Sequence, residues 1–254
     1  MCTVVILRRP GSPWPLILAA NRDELITRPW SAPARHWPDR GHVVAGRDAE
    51  AGGTWLALCD DGVVAAILNR RGSLGPQPGK RSRGELPLEA VDHAEARVAA
   101  QALADLEPTS YRSFNLVVAD FRDAFWLRSD GESIEKHPIP EGLSMITAGE
   151  LNDTATSERV RHHLPRFRAA PTPDPAADDW FAWEALLASE DREAGAEMGG
   201  AMNIATDHGF GTVSSSLIAL PDPTHTISGP NTRPVWKFCA GRPGALPFQA
   251  VDLD

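Results

Sequence analysis

The sequence predicts a sheet-rich α+β fold. Three observations carry this. Pro (22) and Gly (21) are plentiful across 254 residues and punctuate many short elements. Several segments are short, β-branched apolar runs closed by turn residues. The few segments with helical periodicity are not interleaved one per strand, which excludes a βαβαβ parallel sheet.

The elements follow in order. Cys2 to Leu7 ("CTVVIL") is a β-branched apolar run, expected as a strand buried on both faces. "RRPGSPWP" is a turn, and "LILAANRDE" is a second strand that returns beside the first as a hairpin. "RPWSAPARHWPDRGH" is expected as an irregular Pro-rich loop. "GGTWLALCDDGVVAAILNRRG" reads strand, turn, strand, because Gly62 after Asp61 tolerates the positive φ of a tight hairpin. From Leu88 to Leu106 the period becomes helical, with Val91, Ala94, Val98, Ala102 and Leu106 on one face. "SFNLVVAD" and "DAFWLRSD" form another strand pair, and "GLSMITAG" a further strand. A helix is expected over Thr156 to Phe167, with Val160, Leu164 and Phe167 facing inward. "AAPTPDPAADD" is a loop too rigid and polar to pack. Trp180, Trp183 and Leu187 mark a helix capped by Asp178 or Asp179. "GTVSSSLIALPD", "HTISG" and "RPVWKFC" read as closing strands. No repeat or domain boundary stands out, so 1–254 is expected as a single domain.

Composition narrows the function classes. A net charge of −9 opposes nucleic acid or an anionic membrane as partner. No apolar run reaches the length of a membrane-spanning helix, and the start lacks a signal-peptide layout, so the expected location is cytoplasmic. Three widely spaced cysteines suggest neither a disulfide framework nor a zinc site. Cys59 and Cys239 lie in apolar strand contexts and read as buried structural thiols. His162 and His163 are adjacent, are expected to point apart on a helix, and form no ligand pattern.

Cys2 has two readings. One is a small hydrophobe opening a strand. The other follows removal of Met1, which would leave a free α-amine (pKa about 7.7–8.0) and a thiol (about 8.5) on one residue. The amine could then take the thiol proton and return it to a leaving group. "NRDE" likewise reads as a solvated strand end or as part of a site. Alternation puts Asn21 with Asp23 and Arg22 with Glu24. Asp23 could hold the new terminus, and Arg22 could join only if the strand bends or bulges. Asn69, closing "VVAAILN", is either a loop-entry residue or a donor to a developing oxyanion.

"CTVVIL", "LAANRDE", "RP", "AGRDAEAGGTWLAL", "AAILNRRG", "SRGEL" and "FNLVVAD" occur in the order and register of the NRDE family, also called the Transport and Golgi Organization 2 family. The resemblance is dense from Cys2 to about Asp120 and thins afterwards. It implies a four-layer αββα sandwich of two antiparallel sheets between helices, the architecture of the N-terminal nucleophile (Ntn) hydrolases. The chain is also distantly similar to the cysteine members of that superfamily, the penicillin V acylases and bile salt hydrolases. That similarity implies Cys2 as nucleophile, Asp23 as the residue orienting its amine, and Asn69 as an oxyanion donor. Departures are visible. Ala20 stands where those enzymes carry an arginine, and Arg22 precedes Asp23 directly. Asn152 in "GELND" is the candidate for their second Asn. "TVSSSL" holds no late arginine, with Arg233 as a possible substitute.

The implied activity is a cysteine hydrolase or acyl transferase acting on a carbon–nitrogen amide bond, needing no cofactor or metal. The implied alternative is a non-catalytic carrier of haem or of lipid and acyl-CoA, with haem as cargo and Trp30, His36 and Trp37 as an apolar lid; ordinary packing is the simpler account of those rings. A degenerate scaffold with neither activity is the third option. Expected partners are small molecules: an amide, an acyl-CoA or a haem-like compound.

Overall fold

The computed structural model describes residues 2–224 and 233–254. In chain order the strands are β1 (Thr3–Arg8), β2 (Leu16–Leu25), β3 (Trp30–Ala34), β4 (Val43–Asp48), β5 (Leu56–Cys59) and β6 (Val64–Asn69). Helices α1 (Leu86–Val91) and α2 (Ala96–Ala104) follow. Next come β7 (Phe114–Ala119), β8 (Ala124–Ser129), β9 (Ile134–Pro138) and β10 (Gly142–Ile146). Helices α3 (Glu158–Ala169) and α4 (Phe181–Leu187) precede β11 (Phe210–Leu220), β12 (Val235–Cys239) and β13 (Gln249–Ala250). Every strand pairing is antiparallel. The expected "HTISG" strand lies outside the described residues.

Two compact units share the chain. The first takes residues 1–27 and 141–251, the second 28–140 and 252–254. The first holds a six-stranded sheet in the order β10-β1-β2-β11-β12-β13. Gly11, at φ +81°, makes the turn that returns β2 beside β1. One sheet face carries Val5, Leu7, Ile17, Ala19, Met145, Leu217 and Ala219. Against it pack Val160, Leu164 and Phe167 of α3 and Trp183 and Leu187 of α4. Val4, Ile6, Leu18 and Ile218 on the alternate face are buried too. The Ser157 side chain accepts a hydrogen bond from Val160 N and starts α3.

The second unit is a seven-stranded meander, β3 through β9 in sequence order. Helices α1 and α2 cover one face, mostly through small residues such as Ala90, Ala96, Ala99 and Ala100, which let helix and sheet approach closely. Two sequence motifs cross there. Gly53 of "GGTW" lies against the backbone of Gly84 in "RGEL", and Thr54 N donates to Gly84 O at 2.8 Å. A β-carbon on Gly53 would stand 2.5 Å from the Gly84 carbonyl carbon, so only glycine fits.

Several expectations need correction. The single helix over Leu88 to Leu106 is two helices, broken where Glu95 is extended and Ala96 N is capped by Asp120 Oδ2 at 2.8 Å. The second helix buries Ala96, Ala99, Ala100 and Leu103, and leaves Val98 and Ala102 exposed. The Pro-rich segment after β2 contains β3, and β4 and β9 also went unread. The 170–178 loop does pack: Pro175 is buried, and Asp174 caps a short turn through Ala176 N and Ala177 N. The rings of His162 and His163 do not point apart; they meet edge to face, with centroids 4.8 Å apart. Trp30 packs on the edge of Trp55, and Trp37 packs on the core of the second unit.

Candidate functional site

The site begins with β-sheet parity. Thr3 faces Asn21 across β1 and β2, and Thr3 shares the helix-covered face with Val5 and Leu7. Continuing the register one step places Cys2 opposite Arg22, on the other face. Cys2 is partly exposed as a residue, but its thiol is enclosed. The Sγ donates to the Asp23 carbonyl oxygen at 3.7 Å. Burial pushes the thiol above its ordinary range. The positive chain terminus and Arg22 pull it down, and the Asp23 charge raises it.

The Asp23 carboxylate points to the helix side and is held at both oxygens. Thr212 Oγ1 donates to Oδ1 at 2.7 Å, and Arg159 Nη1 donates to Oδ2 at 2.9 Å. Arg159 also donates to Thr3 Oγ1 at 2.6 Å and, through Nε, to Gly199 O at 3.0 Å. Both charged side chains are almost completely buried, at 1% and 0% exposure. Such a pair keeps its place only with further hydrogen bonds of this kind.

Alternation along β2 separates the roles of neighbouring residues, and a β-bulge in β11 keeps their partners in step. Thr212 pairs with Asp23 and Ser214 with Arg22, so Val213 is the extra residue. The irregularity lies in β11, and Arg22 reaches the Cys2 face by ordinary alternation, without the bend in β2 that the sequence reading required. Arg22 stays on the Cys2 face, buried, with Nη2 4.0 Å from Glu24 Oε2. Asn21 serves the helix side. Its Nδ2 donates to Leu187 O and Met202 O at 2.9 and 3.0 Å, and its Oδ1 accepts from Ser215 Oγ at 2.6 Å.

Asn152 sits in the left-handed region at φ 57°, a conformation asparagine tolerates. Its Oδ1 accepts from Met145 N at 2.8 Å, and its Nδ2 donates to Ser144 Oγ at 3.1 Å, which ties the following loop to β10. Asn69 belongs to the second unit. It closes β6 opposite Phe114 and is half-buried. The structure therefore brings Cys2, Arg22 and Asp23 together on adjacent strands, and places Asn152 after the next strand, β10. Arg159 is the residue the sequence reading missed. Its one signal is its position beside Val160, at the edge of the apolar stripe of α3. Among the described residues, no group of three or more His, Cys, Asp or Glu side chains could hold a metal ion. None of their helices is long and apolar enough to cross a membrane.

Two antiparallel sheets with helices on each, and a cysteine opening a central strand beside a fixed carboxylate, define an α+β protein of the Ntn-hydrolase fold. Comparisons with solved structures support that class. The Caenorhabditis elegans ortholog of N-acylethanolamine-hydrolyzing acid amidase matches with a TM-score of 0.55 at 12% identity, over 85% of this chain and 92% of that one. Penicillin V acylase from Agrobacterium tumefaciens matches with a TM-score of 0.52 at 11% identity, over 99% and 98%. A variant of the conjugated bile acid hydrolase from Clostridium perfringens matches with a TM-score of 0.56 at 10% identity, over 99% and 92%. The chain belongs to the Transport and Golgi organisation 2 family, whose model matches residues 1–222. The mouse Transport and Golgi organization 2 homolog is 36% identical over 141 residues, 51% of this chain and 50% of its own length. The human homolog is 37% identical over 114 residues, 43% and 40% respectively. The matched region thus spans half or less of these relatives.

Proposed function

We propose that the chain, after removal of Met1, is an N-terminal nucleophile cysteine hydrolase or acyl transferase acting on amide bonds. The observation that carries this reading is the Asp23 carboxylate, fixed from two sides where β1 begins, with the Cys2 thiol on its own carbonyl. Removal of Met1 would leave the Cys2 amine as the first group of the strand, within reach of that anchored segment. The three structural neighbours, an acid amidase, an acylase and a bile acid hydrolase, favour the same bond class.

The chemistry would run as follows. A thiol raised by burial is protonated at neutral pH, so it needs a base close by. The Cys2 amine takes that proton, and the thiolate attacks the amide carbonyl. The tetrahedral oxyanion collapses to a thioester as the carbon–nitrogen bond breaks and the ammonium returns the proton to the leaving amine. Water then hydrolyses the thioester to a carboxylic acid, or another nucleophile takes the acyl group. Arg22, on the thiol's face, stabilises the thiolate. The second Nδ2 hydrogen of Asn152, in the same unit as Cys2, is the proposed oxyanion donor.

The test is intact mass combined with substitution. The protein made in cells is expected to lack Met1. Cys2→Ala is expected to keep the native circular dichroism spectrum and lose hydrolysis of an N-acyl amide panel. Retained Met1, or undiminished turnover by Cys2→Ala, would refute the reading.

A further inference from the structure

The second unit carries a concentration of positive charge that the cysteine chemistry does not use. Residues 69–84, "NRRGSLGPQPGKRSRG", contain Arg70, Arg71, Lys80, Arg81 and Arg83 and no acidic residue, in a chain of net charge −9. Arg81 is neutralised by Glu85 and Glu89, at 2.7 and 2.9 Å. Arg83 is not. Its Nη1 donates to Ser73 Oγ and Ser113 O at 2.9 and 3.0 Å, and its Nη2 to Gly75 O at 3.3 Å. Arg112 enters from the segment before β7 and donates to Leu74 O, Gly75 O and Gly72 O at 2.7, 3.2 and 2.8 Å.

Both guanidinium groups therefore converge on one uncharged oxygen, Gly75 O. Among the described residues, neither meets a carboxylate. The two cationic groups are held close, and burial, reinforced by the Arg112 charge, pushes Arg83 down to about 10. Fastening a loop explains the hydrogen bonds but not the charges. Neutral amide or hydroxyl side chains could bind the same carbonyls without like-charge repulsion. Each guanidinium also keeps an Nε–H that none of these contacts uses. Lys80 Nζ, on Thr109 O, adds a third cation, with the Glu107 carboxylate close enough that its pKa, held down first by hydrogen bonds from Thr109, is lowered further by the lysine charge. The loop itself is bare. Gly72, Gly75 and Gly79 have positive φ, and open space lies where their side chains would be. The Gly53–Gly84 crossing fixes the backbone next to Arg83.

We propose that Arg83, Arg112 and Lys80, with the glycine loop at 72–79, form a binding site for a phosphoryl-bearing small molecule. A planar guanidinium fork matches phosphoryl oxygens, and paired arginines with a lysine suit an anion of more than one charge. The site does not depend on the reading of Cys2.

The test is calorimetric titration of the full chain with inorganic pyrophosphate at constant ionic strength. Saturable binding is expected, weakened roughly tenfold or more by Arg112→Gln. Lys80→Gln should weaken it in the same direction and is read alone if Arg112→Gln fails to fold. Absence of saturable binding by the native chain would overturn the proposal. So would unchanged affinity in the folded variants. Citrate bound as tightly as pyrophosphate would overturn the phosphoryl assignment.

Discussion

Replacing Arg159 by Met keeps the aliphatic stem and removes the charge. Asp23 would then be a carboxylate with a fully buried side chain and Thr212 Oγ1 as its remaining contact from the described pair of donors. Thr3 Oγ1 and Gly199 O would lose their donor as well. Breaking a buried pair from one side costs about 3–5 kcal/mol, most of it the stranded charge. Asp23→Asn strands the guanidinium instead and should also be costly. The double variant Asp23→Asn/Arg159→Met removes both charges, so it should be more stable than the two single losses added together, by roughly 2–3 kcal/mol. Urea unfolding followed by tryptophan fluorescence suits the measurement, because Trp14, Trp180 and Trp183 report from the core of the same unit. A loss under about 1 kcal/mol for Arg159→Met, or strict additivity in the double variant, would refute the reasoning.

Two further outcomes are expected. His163 is buried against Asp191 O, and burial, together with the charges of His162, Arg166 and Arg159, pushes its pKa down to about 4. Its contribution is complete above the ordinary histidine value and is lost as pH falls toward the folded value, up to about 3 kcal/mol. His163→Gln should flatten the stability profile between pH 6.5 and pH 4, as measured by urea melts across that window; parallel profiles would contradict this. Gly53→Ala should destabilise by about 1–3 kcal/mol, and by more than Gly84→Ala, whose added carbon would meet its nearest neighbours at 3.2 Å. Equal thermal shifts in the two variants would contradict the crossing geometry.

Much of the fold was legible because its signals are local. The Gly62 turn, the β1–β2 hairpin and the stripe of Val160, Leu164 and Phe167 all lie within one element or a close pair. The misses share a different cause. Glu95 looks helical until Asp120, 25 residues later, caps Ala96 and ends the continuity of the helix. The strand at Trp30–Ala34 is made mostly of small residues and a proline, and owes its state to pairing with β4. The site divides the same way. That Cys2, Arg22 and Asp23 lie close was legible because they share one hairpin; which of them shares a face was not, since the register sets Arg22, not the Asp23 carboxylate, on the Cys2 side. Arg159 meets Asp23 across 136 residues, and no spacing rule reaches that far. The bulge at Val213 was invisible because a bulge is a property of two strands together.

Alternation along β2 sets how the motif "NRDE" should respond to mutation. Because successive side chains face opposite sides of the sheet, four consecutive letters answer to two separate selective pressures. Changes at Asn21 and Asp23 should surface as poor folding yield, since these residues lock the sheet to its helices. Changes at Arg22 and Glu24, on the opposite side, should leave abundance closer to normal and alter how the thiol reacts. A saturation library scored once for protein abundance and once for thiol labelling should therefore show the motif alternating, residue by residue, between the two scores.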